Sequence, residues 1–185
     1  MLHCEPYGGL LQHTWFDRDL SVAGRVLMED SKSGSLEHRL VYVPRPVARI
    51  PMLSIHLQRE IYDQGFNPNK QTQCTPLLFN DAAKKEDGVA EEELHPDVVS
   101  RHHPELVRLL ARELGCETRA IVGFDLNLVD TQPGQLWGVE EEYVAVGRLD
   151  NLCSSFLAVR ALLDTDASLA QETGVRVAVL FDNEE

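Results

Sequence analysis

The chain has 185 residues, of which 30 are acidic and 17 are basic, and its formal net charge is −13 at pH 7. This balance argues against binding to nucleic acid, since that affinity depends on Lys and Arg neutralising phosphates. No apolar run approaches the roughly 20 residues that span a bilayer, and no signal peptide is recognisable, so we expect a soluble, intracellular protein without a membrane partner.

The N-terminal third contains a predicted β-hairpin. Trp15 and Phe16 are expected to pack, and the charged residues 17–19 are expected to form a surface ion-pair network that holds a corner. Residues 21–28 and 36–43 are rich in β-branched and apolar residues, and a turn-forming sequence with Asp, Ser and Gly joins them. This pattern predicts two strands of a hairpin.

A short helix and a solvated loop are predicted next. After three prolines, apolar residues recur at every fourth position in residues 52–62, which predicts a helix that carries His56. The acidic, lysine-containing residues 81–93 show no periodicity. They are therefore expected to form a solvated or disordered loop.

The middle of the chain predicts a helix and a further strand. Leucines form an apolar stripe along residues 104–114, and Gly115 follows as a C-cap. His102 and His103 precede this helix and are expected to be exposed rather than bound to a metal. Residues 121–129 alternate between apolar and polar side chains, which indicates an antiparallel sheet with one exposed face.

The last 43 residues predict a βαβ unit. A strand that begins near Tyr143 leads to Asp150, and the apolar spacing of residues 151–163 predicts a helix with Asp150 as its N-cap. Residues 175–181 are almost wholly apolar and predict a strand buried on both faces of a parallel sheet. Ligands of such sheets bind beyond the carboxyl ends of the strands, so we expect Asp150 and the acidic residues 182–185 to share one rim.

Carboxylates on one rim suit a dinuclear metal site. Two metal ions need a bridging carboxylate, further oxygen ligands and a separate carboxylate that takes a proton from water. Asp150 fits the bridging position, and Glu184 and Glu185 fit the other two tasks. The alternative is structural, because a single Asp before a helix is commonly an N-cap and an acidic cluster is commonly solvated.

The cysteines do not suggest a metal site. They are far apart in the sequence and lack the spacing of zinc fingers, which predicts free thiols in a reducing compartment. They are Cys4, Cys74, Cys116 and Cys153.

Five strings of residues resemble the aspartyl aminopeptidase family. They occur in the family's order along essentially the whole chain, and the combination of WFDRDL, RLDN and DNEE is specific. The strings are YGGLLQHTWFDRDLSVAGRV (7–26), IPMLSIHLQR (50–59), DTQP (130–133), RLDNL (148–152) and LFDNEE (180–185).

The resemblance implies a zinc enzyme that removes N-terminal Asp or Glu from peptides, with two zinc ions in each complete active site. It makes Asp150 the carboxylate that bridges both ions, Glu185 a ligand to one ion and Glu184 the general base. It also implies that His56 reaches the substrate site of a neighbouring subunit. A cytoplasmic homo-oligomer is the expected assembly.

The fold expected from pattern and resemblance together is α/β, in which an antiparallel β-rich inserted dimerisation domain precedes part of a zinc-peptidase-like α/β sheet. Residues 1–20 would end the N-terminal part of the peptidase domain. Residues 21–142 would form the dimerisation domain, and residues 143–185 would form part of the metal-binding domain.

The length of the chain leads to two hypotheses about its activity. Members of the family are more than twice as long, and the resemblance implies that this sequence is their middle portion without several metal ligands. We therefore expect an aspartyl aminopeptidase chain that is inactive alone. The alternative is a non-catalytic dimerisation or assembly module, or a partial gene product of the same family.

Overall fold

The computed structural model describes residues 1–9, 11–80 and 94–181. Two compact units divide the chain between Thr131 and Gln132. The strands are β1 (Leu20–Glu29), β2 (Leu36–Tyr42), β3 (Ile121–Asp130), β4 (Gln135–Trp137) and β5 (Tyr143–Ala145); the α-helices are α1 (Ile61–Gln64), α2 (Pro96–Val99), α3 (Pro104–Leu114) and α4 (Leu149–Asp164); the 3-10 helices are Gln12–Trp15, Ile55–Leu57, Thr118–Ala120 and Asp166–Gln171.

The first unit is built on an antiparallel sheet with the strand order β2-β1-β3. The predicted hairpin and the predicted third strand are confirmed. Asp30 closes the hairpin turn, because its carboxylate accepts hydrogen bonds from the backbone N–H groups of Lys32 and Ser33 and from the Ser33 hydroxyl. These hydrogen bonds, chiefly those from Ser33, lower the pKa of the Asp30 carboxyl.

One face of the sheet packs against α2 and α3 to form the main core. The predicted helix and its C-cap are confirmed, since α3 ends at Gly115 in the left-handed conformation with φ of 64°. Its apolar stripe is buried, whereas its other face is exposed. The fully buried members of this core are Val26, Val43, Val98, Val107, Leu110 and Ile121.

Histidine side chains cap both helices of this core. Nδ1 of His95 accepts a hydrogen bond from the backbone N–H of Asp97, and Nδ1 of His103 accepts one from Glu105 N–H, each at 3.2 Å. A proline follows each histidine at the first helical position. The tripeptide His-Pro-acid occurs at both helix starts, and this repeat is a sequence signal for the two caps.

Ion pairs at one corner of the sheet link the residues just before β1 to the end of β3 and to Arg49. Arg18 Nη1 lies 2.5 Å from Asp130 Oδ2, and the Arg49 guanidinium pairs with Asp19. The Asp17 carboxylate accepts a hydrogen bond from the backbone N–H of Met52 at 3.1 Å. The predicted surface network is therefore present, but its charges pair with distant residues rather than with one another.

The predicted helix over residues 52–62 is wrong. His56 lies in the 3-10 turn Ile55–Leu57, and only the four-residue α1 follows. Gln58 interrupts the helix, with φ of −145° and ψ of 49°. The apolar stripe lacks a surface to pack against, since Leu53 and Leu57 are 53% and 71% exposed, and an unpacked stripe stabilises a short helix little.

The second unit contains a small antiparallel hairpin and the longest helix. β4 pairs with β5, and the rings of Trp137 and Tyr143 stack with centroids 4.7 Å apart. After α4, Arg176 donates hydrogen bonds to the Glu172 carboxylate and to the Thr165 carbonyl, which closes the following turn. No helix in the described ranges is long and apolar enough to cross a membrane.

The predicted strand over residues 175–181 is absent from the sheets of the structure. These residues have no regular secondary structure, and Val175 and Phe181 are 90% and 87% exposed. A strand needs the backbone groups of a neighbour, and among the described residues of this unit only β4 and β5 form a ladder. The predicted parallel βαβ unit therefore is not formed by the part of the chain that the structure describes.

His102 makes the stability of the first unit depend on pH. Its imidazole packs on the ring of Phe124 with centroids 4.2 Å apart, and desolvation, helped by Arg101, lowers the pKa of His102 below its ordinary value of 6.5. The folded state therefore favours the neutral imidazole. The contribution of His102 to the free energy of unfolding is complete above about pH 6.5 and is lost as the pH falls below that value. We therefore expect the urea concentration at the unfolding midpoint to decrease as the pH is lowered from about 7.5 to about 5.5.

The variant His102→Gln should show a smaller decrease of the urea midpoint over that pH range, because it lacks the group that takes up the proton on unfolding. His3→Gln, which changes an exposed histidine near the N-terminus, is the control and should keep the wild-type dependence. An identical pH dependence in His102→Gln and wild type would contradict this prediction.

Candidate metal centre

Asp150 lies where the β4–β5 hairpin leads into α4. Arg148 adopts a left-handed conformation with φ of 61°, which turns the chain into the helix. Asp150 itself has φ of −87° and ψ of 116°, so continuous helical geometry starts only after it. The peptide bond between Asp150 and Asn151 is cis. Asp150 thus lies at the start of α4, as the sequence predicted, but Arg148 rather than Asp150 is the N-cap residue.

The carboxylate of Asp150 is available to a ligand. The residue is exposed, and its side chain forms no hydrogen bond or ion pair with another residue in the described ranges. No side-chain cap is formed at the start of α4. The carboxylate oxygens of Asp150 are therefore uncommitted among the residues that the structure describes.

The other predicted metal-site residues cannot be placed beside Asp150. Glu184 and Glu185 lie outside the described residues, as does the predicted loop over residues 81–93. The shared rim of carboxylates therefore stays a prediction. The predicted substrate-binding residue His56 belongs to the first unit, where its side chain is exposed in a 3-10 turn.

The side chains of the described residues fit a zinc site only in part. A carboxylate oxygen is an accepted zinc ligand, and Asp150 offers one that no group in the described part of the chain occupies. A catalytic zinc ordinarily takes three protein ligands, and residues 1–9, 11–80 and 94–181 contain no group of three His, Cys, Asp or Glu side chains that could hold a metal. Asp150 fits zinc by donor type, and the described residues alone do not complete a three-ligand site around it.

Comparison with known proteins decides the family. The profile of the family described as aminopeptidase I zinc metalloprotease (M18) matches residues 1–185, which is the whole chain. The chain belongs to the M18 family. The resemblance found in the sequence strings is thereby confirmed.

The aspartyl aminopeptidase of Dictyostelium discoideum is 41% identical to this M18 chain over 198 residues, which cover 98% of this chain and 40% of the relative. The chain spans about two fifths of the length of the curated relatives it matches. Family membership thus rests on the whole of this sequence but on less than half of each relative.

Solved M18 structures share the fold. In the cryo-EM structure of the Ape4 and Nbr1 complex, the matching chain is 38% identical, with a TM-score of 0.78 over 92% of this chain and 33% of that chain. The mApe1 dodecamer of Saccharomyces cerevisiae is 29% identical, with a TM-score of 0.67 over 91% of this chain and 33% of that chain. The α/β class with antiparallel sheets is confirmed, and an M18 relative of known structure is a homo-oligomer.

Proposed function

We propose that the protein acts as a zinc-dependent aspartyl aminopeptidase, which hydrolyses the first peptide bond of peptides with N-terminal Asp or Glu. The observation that carries this proposal is the exposed, uncommitted carboxylate of Asp150 at the start of α4, in a chain that matches the M18 family throughout. The name and 41% identity of the Dictyostelium relative support the choice of acidic N-termini.

Each carboxylate has a distinct role in the proposal. Asp150 and Glu185 would hold the two zinc ions of a complete site. Zinc supplies Lewis-acid polarisation of the peptide carbonyl and lowers the pKa of water. Glu184 acts as the general base, which takes a proton from the attacking water and delivers it to the nitrogen of the leaving amine.

His56 serves the substrate site of a neighbouring subunit in this proposal. Its exposure on a short turn leaves the imidazole accessible to a second chain. The homo-oligomer is supported by the dodecameric relative. We assign residues 1–20 and 143–185 to the peptidase domain and residues 21–142 to an inserted dimerisation domain.

A cytoplasmic location completes the proposal. All four cysteines are free thiols, and a reducing compartment keeps thiols in that form. The acidic balance of the chain, with a net charge of −13, favours a peptide substrate over nucleic acid.

The decisive experiment places this chain within a full-length relative. In a chimera, residues 1–185 replace the matching segment of the Dictyostelium relative, and hydrolysis of α-aspartyl, α-glutamyl and leucyl p-nitroanilides is measured with zinc present. We expect hydrolysis of the acidic substrates at more than about tenfold the leucyl rate, a modest preference worth roughly 1.4 kcal/mol. A chimera that is folded and assembled like the parent enzyme but inactive would overturn the proposal.

A non-catalytic assembly module is the second candidate. The first unit has its own buried core between one sheet and two helices, which favours independent folding. This candidate predicts a defined oligomer of the 185-residue chain without zinc, together with an inactive chimera. Activity of the chimera therefore separates the two functions.

A further inference from the structure

The outer edge of β2 is unpaired. β2 is an end strand in the order β2-β1-β3, and no strand in the described part of the chain pairs with its other side. Leu36, Leu40 and Tyr42 on this strand are 60%, 85% and 50% exposed. An exposed edge of seven residues with large apolar side chains is a template for pairing with another strand.

The backbone groups that would make such a pairing can be assigned. Val43 N–H donates to the Val22 carbonyl at 3.1 Å, and β1 and β2 pair antiparallel in continuous register. Successive residues of a strand direct their backbone groups to opposite sides. The backbone N–H and C=O groups of Leu36, His38 and Leu40 therefore point away from β1, toward the open edge.

The sequence along this edge is complementary to itself. Residues 36–40 read Leu-Glu-His-Arg-Leu, and an antiparallel copy centred on His38 places Leu opposite Leu and Glu opposite Arg. We propose that β2 pairs antiparallel with β2 of a second copy of this chain about a two-fold axis through His38. Isologous interfaces require a patch that is complementary to itself in this way.

The side chains agree with this register on both faces of the sheet. Leu40 lies opposite Arg25 on the exposed face, and in the pair it covers the partner's Leu36. Glu37 and Arg39 lie on the other face, where they now pair with each other at 3.2 Å. In the dimer Glu37 also faces the partner's Arg39, so the attractive pair occurs twice.

This interface deepens the homo-oligomer proposed above and rests on that part of the proposed function. It does not rest on zinc or on peptidase activity. Its partner is a second copy of the chain because the charge pattern of β2 is satisfied by β2 itself. An unrelated strand would have to reproduce the same order of charges.

The test measures the dimer dissociation constant of the zinc-free 185-residue chain by analytical ultracentrifugation. We expect wild type to dimerise and Arg39→Glu or Glu37→Arg to weaken the dimer about tenfold or more, since two-fold symmetry converts two attractive pairs into two repulsive ones. The double variant Glu37→Arg with Arg39→Glu restores both pairs and should return within about threefold of wild type. Arg45→Glu changes an exposed arginine beyond the strand and should have no effect.

Leu40→Pro tests the backbone independently. It removes an N–H that points toward the edge and leaves the ladder with β1 intact, so it should abolish dimerisation without lowering the thermal midpoint substantially. A wild-type monomer would overturn both this interface and homo-oligomerisation of the chain. A dimer that tolerates the single charge reversals, or that the double variant fails to restore, would overturn the β2 pairing alone.

Discussion

Glu184→Gln in the chimera is expected to lower kcat for α-aspartyl p-nitroanilide by about 10²–10⁴-fold, because the amide cannot take a proton from water. Zinc content should stay at the level of the unsubstituted chimera, since Glu184 is proposed as the base and not as a ligand. Asp150→Asn should lower both kcat and zinc content, because it replaces a carboxylate that would hold zinc with a neutral amide. Activity assays combined with metal analysis after gel filtration measure both quantities.

The two variants therefore separate the role of base from the role of ligand. Glu113→Gln, at an exposed position on α3, is the matched control and should leave kcat and zinc content unchanged. Loss of zinc in Glu184→Gln would make Glu184 a ligand. Full activity in Asp150→Asn would show that activity does not need the Asp150 carboxylate, and would contradict the proposed function.

Gly24→Ala is expected to produce the largest loss of stability in the first unit. Gly24 lies in the central strand β1 opposite Leu126 of β3. A Cβ at this position would collide with the carbonyl oxygen of Asp125 and would lie 2.9 Å from Cα of Leu126. The two strands must move apart to admit it, and we expect the free energy of unfolding to fall by about 2–4 kcal/mol.

Gly123→Ala provides the control for this effect within the same sheet. A Cβ at Gly123 would meet no atom within 4 Å, so the stability should change by about 0.5 kcal/mol or less. Urea unfolding followed by circular dichroism measures both variants. Equal midpoints for Gly24→Ala and wild type would show that β1 and β3 are not as close as the structure places them.

The sequence predicted the first unit well where local pattern and tertiary packing agree. The hairpin, β3 and α3 each have an apolar face that meets the same core, so period, turn residues and burial all indicate the same element. The predicted helix over residues 52–62 was wrong because its apolar side chains have no apolar surface to cover. Periodicity alone reports a tendency, and packing decides whether a short helix forms.

The second unit could be predicted only in part. Asp150 was placed correctly at the start of a helix, because the strand–turn–helix pattern around it is local. Residues 175–181 have the composition of a buried strand, but composition does not provide the neighbouring strand whose hydrogen bonds define one. The metal-binding role that we propose for Asp150 rests on the family strings, since spacing alone also fits the start of a helix.

The corner where β1 begins and β3 ends brings the two ends of a long segment together. Leu20 is paired with Asp130, and the backbone N–H of Thr131 donates to the Asp19 carbonyl at 3.1 Å. The polypeptide thus departs and comes back at adjacent points after more than one hundred residues. A segment whose ends meet can be inserted into a longer chain, or removed from it, without displacing the residues that flank it.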